Sequence, residues 1–233
     1  MAESTGEIVV NVPSKIQKKV DRLAPSGIHY PTDDVVREVP EGVGLRIDIP
    51  RWNIFGRQTG DEYSQGKSLR VIRALEHDPE GYLRKDPILV CLVPKSADES
   101  ALVIVDGHHR FRESGRVQYV SREGVRNVYD RVPSMVFTPD EMADLLNRSG
   151  HEANGLPYTG EILTSSLLLE VADAESDFAD RMSERKQPVA LRGVSSIADL
   201  PRVLAPAQSP ARSLGEVRQD LTGEIPPASK PQT

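Results

Sequence analysis

Five consecutive residues concentrate the chemistry of this chain: Asp106, Gly107, His108, His109 and Arg110, in the stretch IVDGHHRF. They stand directly behind the apolar run Leu102 to Val105, which reads as a buried strand. A chain that leaves a strand through Asp-Gly turns without a Cβ at the glycine, so its backbone can approach a ligand closely. If a helix begins near His108, its first unpaired N–H groups face the same point, where the helix dipole favours phosphate. Arg110 adds a forked cation suited to phosphate oxygens. His108 or His109 can donate or shuttle protons near neutral pH. Asp106 can hold Mg²⁺, an ion that needs only one or two carboxylates besides phosphate oxygens. Between Arg110 and Arg131, six arginines meet three acids, Glu113, Glu123 and Asp130, so a basic segment lies where the anion would sit. The bland alternative is a solvated turn with surface histidines.

Two other chemistries fit the spacing less well. In GDEYSQGKS, five residues separate Gly60 from Gly66 ahead of Lys67 and Ser68, whereas a phosphate-wrapping loop requires four after a strand. The expectation there is a solvated loop with Ser68 near a helix start. Adjacent histidines usually point apart, and His29, His77 and His151 are isolated in the sequence, which argues against a structural zinc site.

The elements that must position the motif are legible in part. GLRIDIPRW alternates as a half-buried strand, and KSLRVIRALEHD has Leu69, Ile72 and Leu75 at helical spacing. DPILVCLV and ALVIV are apolar runs of strand length, joined by a hairpin-like PKSADES. RFRESGRVQYV predicts a short helix ending near Gly115, and VPSMVF another strand. TPDEMADLLNRSG carries Thr138 as N-cap, Pro139 at the first helical position and Gly150 past the end. EIVVNV reads as a short strand and SKIQKKVDRL as a short helix, with an irregular stretch after them. A longer helical pattern over 161–186 offers either a cover for the sheet or a homodimer interface. The expected fold class is α/β (α+β), a small mixed sheet with flanking helices. Its expected parts are an N-terminal extension (1–43), the domain proper (44–150), a C-terminal helical segment (151–187) and a flexible Pro/Ser-rich tail (188–233).

Composition bounds the setting. The chain has 233 residues, 38% of them hydrophobic, enough for one domain with a real core. Mean hydropathy is −0.41, and no apolar run approaches the roughly 20 residues of a membrane span. The acidic start MAESTGE lacks the basic region of a secretory signal. A single cysteine, Cys91, excludes an internal disulfide framework and fits a reducing cytoplasm. The net charge of −6 argues against coating nucleic acid by bulk electrostatics but leaves room for a local basic patch. Trp52, behind the first domain strand, is read as an aromatic lid over the core, with base stacking as the alternative.

The order strand, loop, helix, DPILV, strand, DGHHR, helix, strand resembles the ParB/sulfiredoxin superfamily over roughly residues 44 to 145. DGHHR is similar to the D-G-x-H-R form of its phosphate-binding motif. DPILV is similar to the family's Q-P-I-x-V segment, with Asp86 in place of the glutamine and Pro87 retained. The resemblance implies that Gly107, His108, His109 and Arg110 cradle nucleotide phosphates, with Asp86 and Pro87 alongside and Asp106 near the metal or the acceptor. Kinase-like members use a glutamate after the first strand; the acids in that loop here are Asp61 and Glu62, and Glu62 is taken as the candidate. Sulfiredoxin's catalytic cysteine falls at His108, so sulfinic acid reduction is not expected. No helix-turn-helix pattern follows, unlike in a full partition protein.

These readings imply a protein that binds ATP or CTP, as tri- or diphosphate, with Mg²⁺, and hydrolyses it or transfers a phosphoryl group. In that scheme Arg110 neutralises developing charge, His109 contacts phosphate, Asp106 holds the metal or acts as base, and His108 carries a proton. The alternative is a DNA-associated ParB-like regulator, or a nuclease, with nucleotide as a switch. A third class is a partner-binding protein using helix 161–186 and the tail.

Overall fold

The computed structural model describes residues 6–22, 39–56, 64–122, 124–181 and 188–205, with backbone alone for 176–181. Two hydrophobic strands form its centre. In β4 (Ile88–Pro94) every residue from Ile88 to Val93 is buried, and β5 (Glu99–Asp106) is buried through most of its length. Successive strand side chains point to opposite faces, so such runs need cover on both sides. Val90, Leu92, Leu102 and Ile104 meet one core layer, and Leu89, Cys91, Val93, Ala101 and Val103 meet a second. Burial pushes the Cys91 thiol up to about 12, as expected of an inert core thiol.

The main sheet runs, in order, β2 (Leu45–Pro50), β8 (Arg131–Phe137), β4, β5 and β3 (Ile54–Phe55). β2 pairs antiparallel with β8, which lies parallel to β4. β4 and β5 form an antiparallel hairpin with a register shift at Leu89/Val90. Along the other edge of β5 lie the two-residue β3, parallel, and β9 (Leu191–Arg192), antiparallel. A smaller antiparallel sheet has the order β1–β6–β7, from Glu7–Val10, Val117–Ser121 and Gly124–Asn127.

Seven α-helices are found among the described residues: α1 (Ser14–Val20), α2 (Gln65–His77), α3 (Tyr82–Lys85), α4 (His108–Ser114), α5 (Pro139–Arg148), α6 (Gly160–Arg181) and α7 (Leu200–Val203). On one face α2 buries Val71 and Leu75, and α3 buries Tyr82 and Leu83. On the other, α5 buries Met142, Leu145 and Leu146, while α6 contributes Leu163, Leu167 and Val171 at four-residue spacing. The helix expected over 161–186 therefore covers the sheet of its own domain over the residues described. α5 starts as anticipated: Thr138 Oγ1 accepts from the Glu141 N–H at 3.2 Å, and the Glu141 carboxylate accepts from the Thr138 N–H at 2.8 Å. This reciprocal cap satisfies two donors that a helix start otherwise leaves unpaired.

The ends of the chain differ most from expectation. β1 extends the small sheet through β6, and α1 buries Val20, so these parts of the N-terminal extension belong to the folded body. The flexible tail expected from 188 onward is corrected over 188–205: β9 pairs with β5, and Leu191, Val194, Leu200 and Leu204 are buried. With the partly buried Ile197, these apolar residues recur every three to four positions within a Pro- and Ser-containing stretch and give enough surface to dock there. Residues 206–233 lie outside the described residues. No helix among the described residues is long and apolar enough to cross a membrane.

Candidate functional site

β5 ends at Asp106, whose Oδ1 accepts the N–H of Gly107 at 2.6 Å. Gly107 has φ +94°, a left-handed conformation that costs an L-residue energy. A Cβ there would also lie 2.9 Å from Ile88 Cγ2 and 3.0 Å from Arg110 Nε. Glycine is thus required twice, by conformation and by crowding. The Phe111 N–H then donates to the Gly107 carbonyl at 2.8 Å, and α4 begins at His108 as anticipated.

That turn brings Arg110 back beneath the strand end. Its guanidinium forms an ion pair with Asp86 Oδ1 and lies 3.7 Å from Asp106 Oδ2. Arg110 and Asp106 are buried, and Asp86 is half-buried. Asp86 reaches this point because α3 terminates there, and Pro87 carries the chain into β4. Of the residues singled out in the sequence, Asp86, Asp106, Gly107 and Arg110 therefore form one cluster, with Pro87 beside it in the chain.

His109 faces a different element. His109 Nε2 accepts the Ser64 N–H at 3.3 Å, which ties α4 to the start of α2. Ser64 caps α2, its Oγ accepting from the Lys67 N–H at 3.3 Å. Burial, then the nearby Lys67 ammonium, holds the His109 pKa below the ordinary histidine value, and a neutral ring is what an accepting Nε2 requires. His108 is half-buried at the first position of α4. Glu62 and Asp61 lie outside the described residues, as do Gly60 and Tyr63 of the segment tested for a P-loop.

Two buried devices hold α4 in place. Glu113 is fully buried and accepts from Ser68 Oγ at 2.9 Å and from Arg116 Nε at 2.5 Å. Ser68 thus lies near a helix start as expected, four residues past the Ser64 cap, but it is buried rather than solvated. Arg51 closes the other end of α4, donating to the Phe111 carbonyl at 2.7 Å and Ser114 Oγ at 2.6 Å. Its guanidinium also stacks 4.4 Å from the Phe111 ring centroid. Burial lowers the Arg51 pKa to about 10, leaving it charged at neutral pH.

The basic segment is used differently from the expectation that it collects around an anion. Arg110 meets two carboxylates, Arg116 pairs with Glu113, and Arg131 donates to the carbonyls of Asp48 and Leu204. Arg126 stacks over Tyr119. Arg112 Nε lies 3.8 Å from Glu113 Oε1, so five of the six arginines make folding contacts. Ser64, Lys67, Glu113 and Arg51 were not among the sequence candidates. Only Ser64 had a readable signal, a capping residue just ahead of an apolar helical period. Trp52 is 45% exposed, so it is at most a partial lid.

For a metal, the donor set is small. No group of three or more His, Cys, Asp and Glu side chains among the described residues could hold an ion. Asp106 Oδ2 is buried without a hydrogen bond among the described residues, and its hard oxygen suits Mg²⁺. With Asp86 beside it, the cluster offers two carboxylates, which fits an ion that takes its remaining ligands from phosphate and water. No protein-family model, curated protein or solved structure matches the chain.

Proposed function

We propose that the protein binds the phosphates of a nucleoside tri- or diphosphate, ATP or CTP, at the turn 106–110 and hydrolyses it or transfers its phosphoryl group with Mg²⁺, as a ParB/sulfiredoxin-like protein. One observation carries this reading: Asp86, Asp106 and Arg110 are gathered at the carboxyl end of β5, directly behind its apolar run Ala101–Val105. In open sheets, ligands bind outside the carboxyl ends of strands. Buried charges away from a ligand site are seldom retained without reason.

The roles follow from position. Phosphoryl transfer is chiefly positioning and charge neutralisation. Arg110 supplies the forked cation, Gly107 lets phosphate approach the backbone, and neutral His109 offers a nitrogen near Lys67. Asp106 holds the metal or accepts a proton, and His108 carries one. Mg²⁺, when bound, offsets the charge of the phosphates. The test is calorimetry of the full chain with ATP, ADP, CTP and GTP in Mg²⁺, followed by product analysis. Arg110→Ala is expected to weaken binding about tenfold or more, from the loss of a charged hydrogen-bond donor. A folded Arg110→Ala protein with unchanged affinity removes the central claim.

One observation favours the second reading, a DNA-associated regulator switched by nucleotide. Lys15, Lys18 and Lys19 are exposed on α1, and Lys19 Nζ donates to the Gln65 side chain at the start of α2, at 3.1 Å. Phosphate-backbone binding through such a face falls steeply with salt. Duplex affinity that is independent of salt, or absent, removes this reading.

A further inference from the structure

We propose that Asp86 makes phosphate binding at this turn conditional on a divalent cation. This rests on the phosphate site proposed above and goes beyond it by assigning Asp86 a role opposite to that of a phosphate ligand.

Arg110 is the forked cation of the site, yet its guanidinium already has two anionic neighbours. Asp86 Oδ1 pairs with one terminal nitrogen, and Asp106 Oδ2 stands 3.7 Å from the other. One guanidinium shared by two carboxylates leaves the cluster one negative charge in excess. A bare phosphate meets this as repulsion. To reach Arg110 it must also displace Asp86, which strands two carboxylates without a counter-ion. Asp106 cannot readily rehydrate, because its side chain is 11% exposed, and its Oδ2 accepts no hydrogen bond among the described residues. Removing the partner of a buried charge is among the more costly changes a protein can suffer.

A divalent cation resolves the conflict. Placed between Asp86 and Asp106, it replaces the charge that the guanidinium had supplied and takes phosphate oxygens as further ligands. Arg110 then turns from carboxylate to phosphate. The preferred ligand is therefore the metal–nucleotide complex, and Asp86 is the residue that discriminates against free nucleotide. Asp86 is the suitable switch of the two carboxylates. It sits at the end of the four-residue helix α3, with its side chain 31% exposed, so it can exchange one partner for another at little structural cost. Asp106 is fixed by the Gly107 N–H at 2.6 Å.

The experiment is calorimetry of the full chain with ATP and with CTP, each in Mg²⁺ and in EDTA, for wild type and Asp86→Asn. Asparagine keeps the shape and removes the charge. For wild type, the expected affinity in EDTA is lower than in Mg²⁺ by about tenfold or more, within the usual span of coupling between two ligands. In Asp86→Asn, binding in EDTA tightens and the difference between the buffers shrinks to about threefold or less. Equal affinities in both buffers for wild type, or an undiminished Mg²⁺ dependence in the variant, overturn this inference and leave the proposed nucleotide site standing. No binding by wild type in either buffer overturns both.

Discussion

Glu113 offers the sharpest test of how the site is supported. The fully buried carboxylate joins α4 to α2 through Ser68 and meets the partly exposed Arg116. Glu113→Ala leaves the Ser68 hydroxyl buried without its acceptor, which costs about 1–3 kcal/mol. It also leaves Arg116 without its carboxylate. Breaking a buried ion pair costs about 3–5 kcal/mol, but the Arg116 side chain is 26% exposed and can regain water, so the low end applies. Together these give about 4 kcal/mol, a large share of the roughly 5–15 kcal/mol that hold a domain folded. Glu113→Gln keeps an acceptor for Ser68 and is expected to cost about half as much. The control is Asp78→Ala, which removes the Lys85–Asp78 pair and the acceptor of the Gly81 N–H and is expected to cost about 1–2 kcal/mol. Urea unfolding reads all three as shifts of the midpoint at constant slope. A double-mutant cycle with Ser68→Ala should return a coupling of at least about 0.5 kcal/mol. If Glu113→Ala costs no more than Asp78→Ala, the carboxylate does not hold the two helices together.

Other expectations follow from single contacts. Gly107→Ala should lose about 1–3 kcal/mol from its left-handed φ and the crowding by Ile88 and Arg110; an unchanged urea midpoint would show that the turn relaxes freely. Leu200→Ala, in the segment docked after α6, should cost about 2–5 kcal/mol and lower the Tm by at least about 4 °C; no change in melting would mean that 188–205 adds nothing to the core. His109 has a folded pKa below the ordinary value of 6.5, so the unfolded chain takes up its proton first as pH falls. Its contribution to stability is complete above about 6.5 and is lost as pH drops from there through the lower folded pKa. His109→Gln should flatten this part of the stability profile, and identical slopes in the two proteins would rule out the buried neutral ring.

The local elements around the motif were legible from neighbouring residues alone. The apolar runs of β4 and β5, the Asp-Gly break, the short helix ending near Gly115 and the Thr138 capping box are all set by neighbouring residues, whose propensities and periods act over a few positions. Asp106, Gly107 and Arg110 could be grouped on the same ground, since they fall within five residues at one strand-to-helix turn. Tertiary structure alone decided what these charges touch. Nothing near residue 110 indicates that Asp86, at the end of a four-residue helix, closes on Arg110, or that Ser68 of α2 donates to Glu113 of α4. The same holds for β1 joining β6 and for β9 joining β5, where Ser100 pairs with Leu191 far along the chain. Long-range pairing is fixed by which unpaired edges and uncovered apolar faces remain once the local elements have formed. A stretch rich in proline and serine reads as tail until an open edge of β5 and an uncovered patch of core are there to receive Leu191, Val194, Leu200 and Leu204.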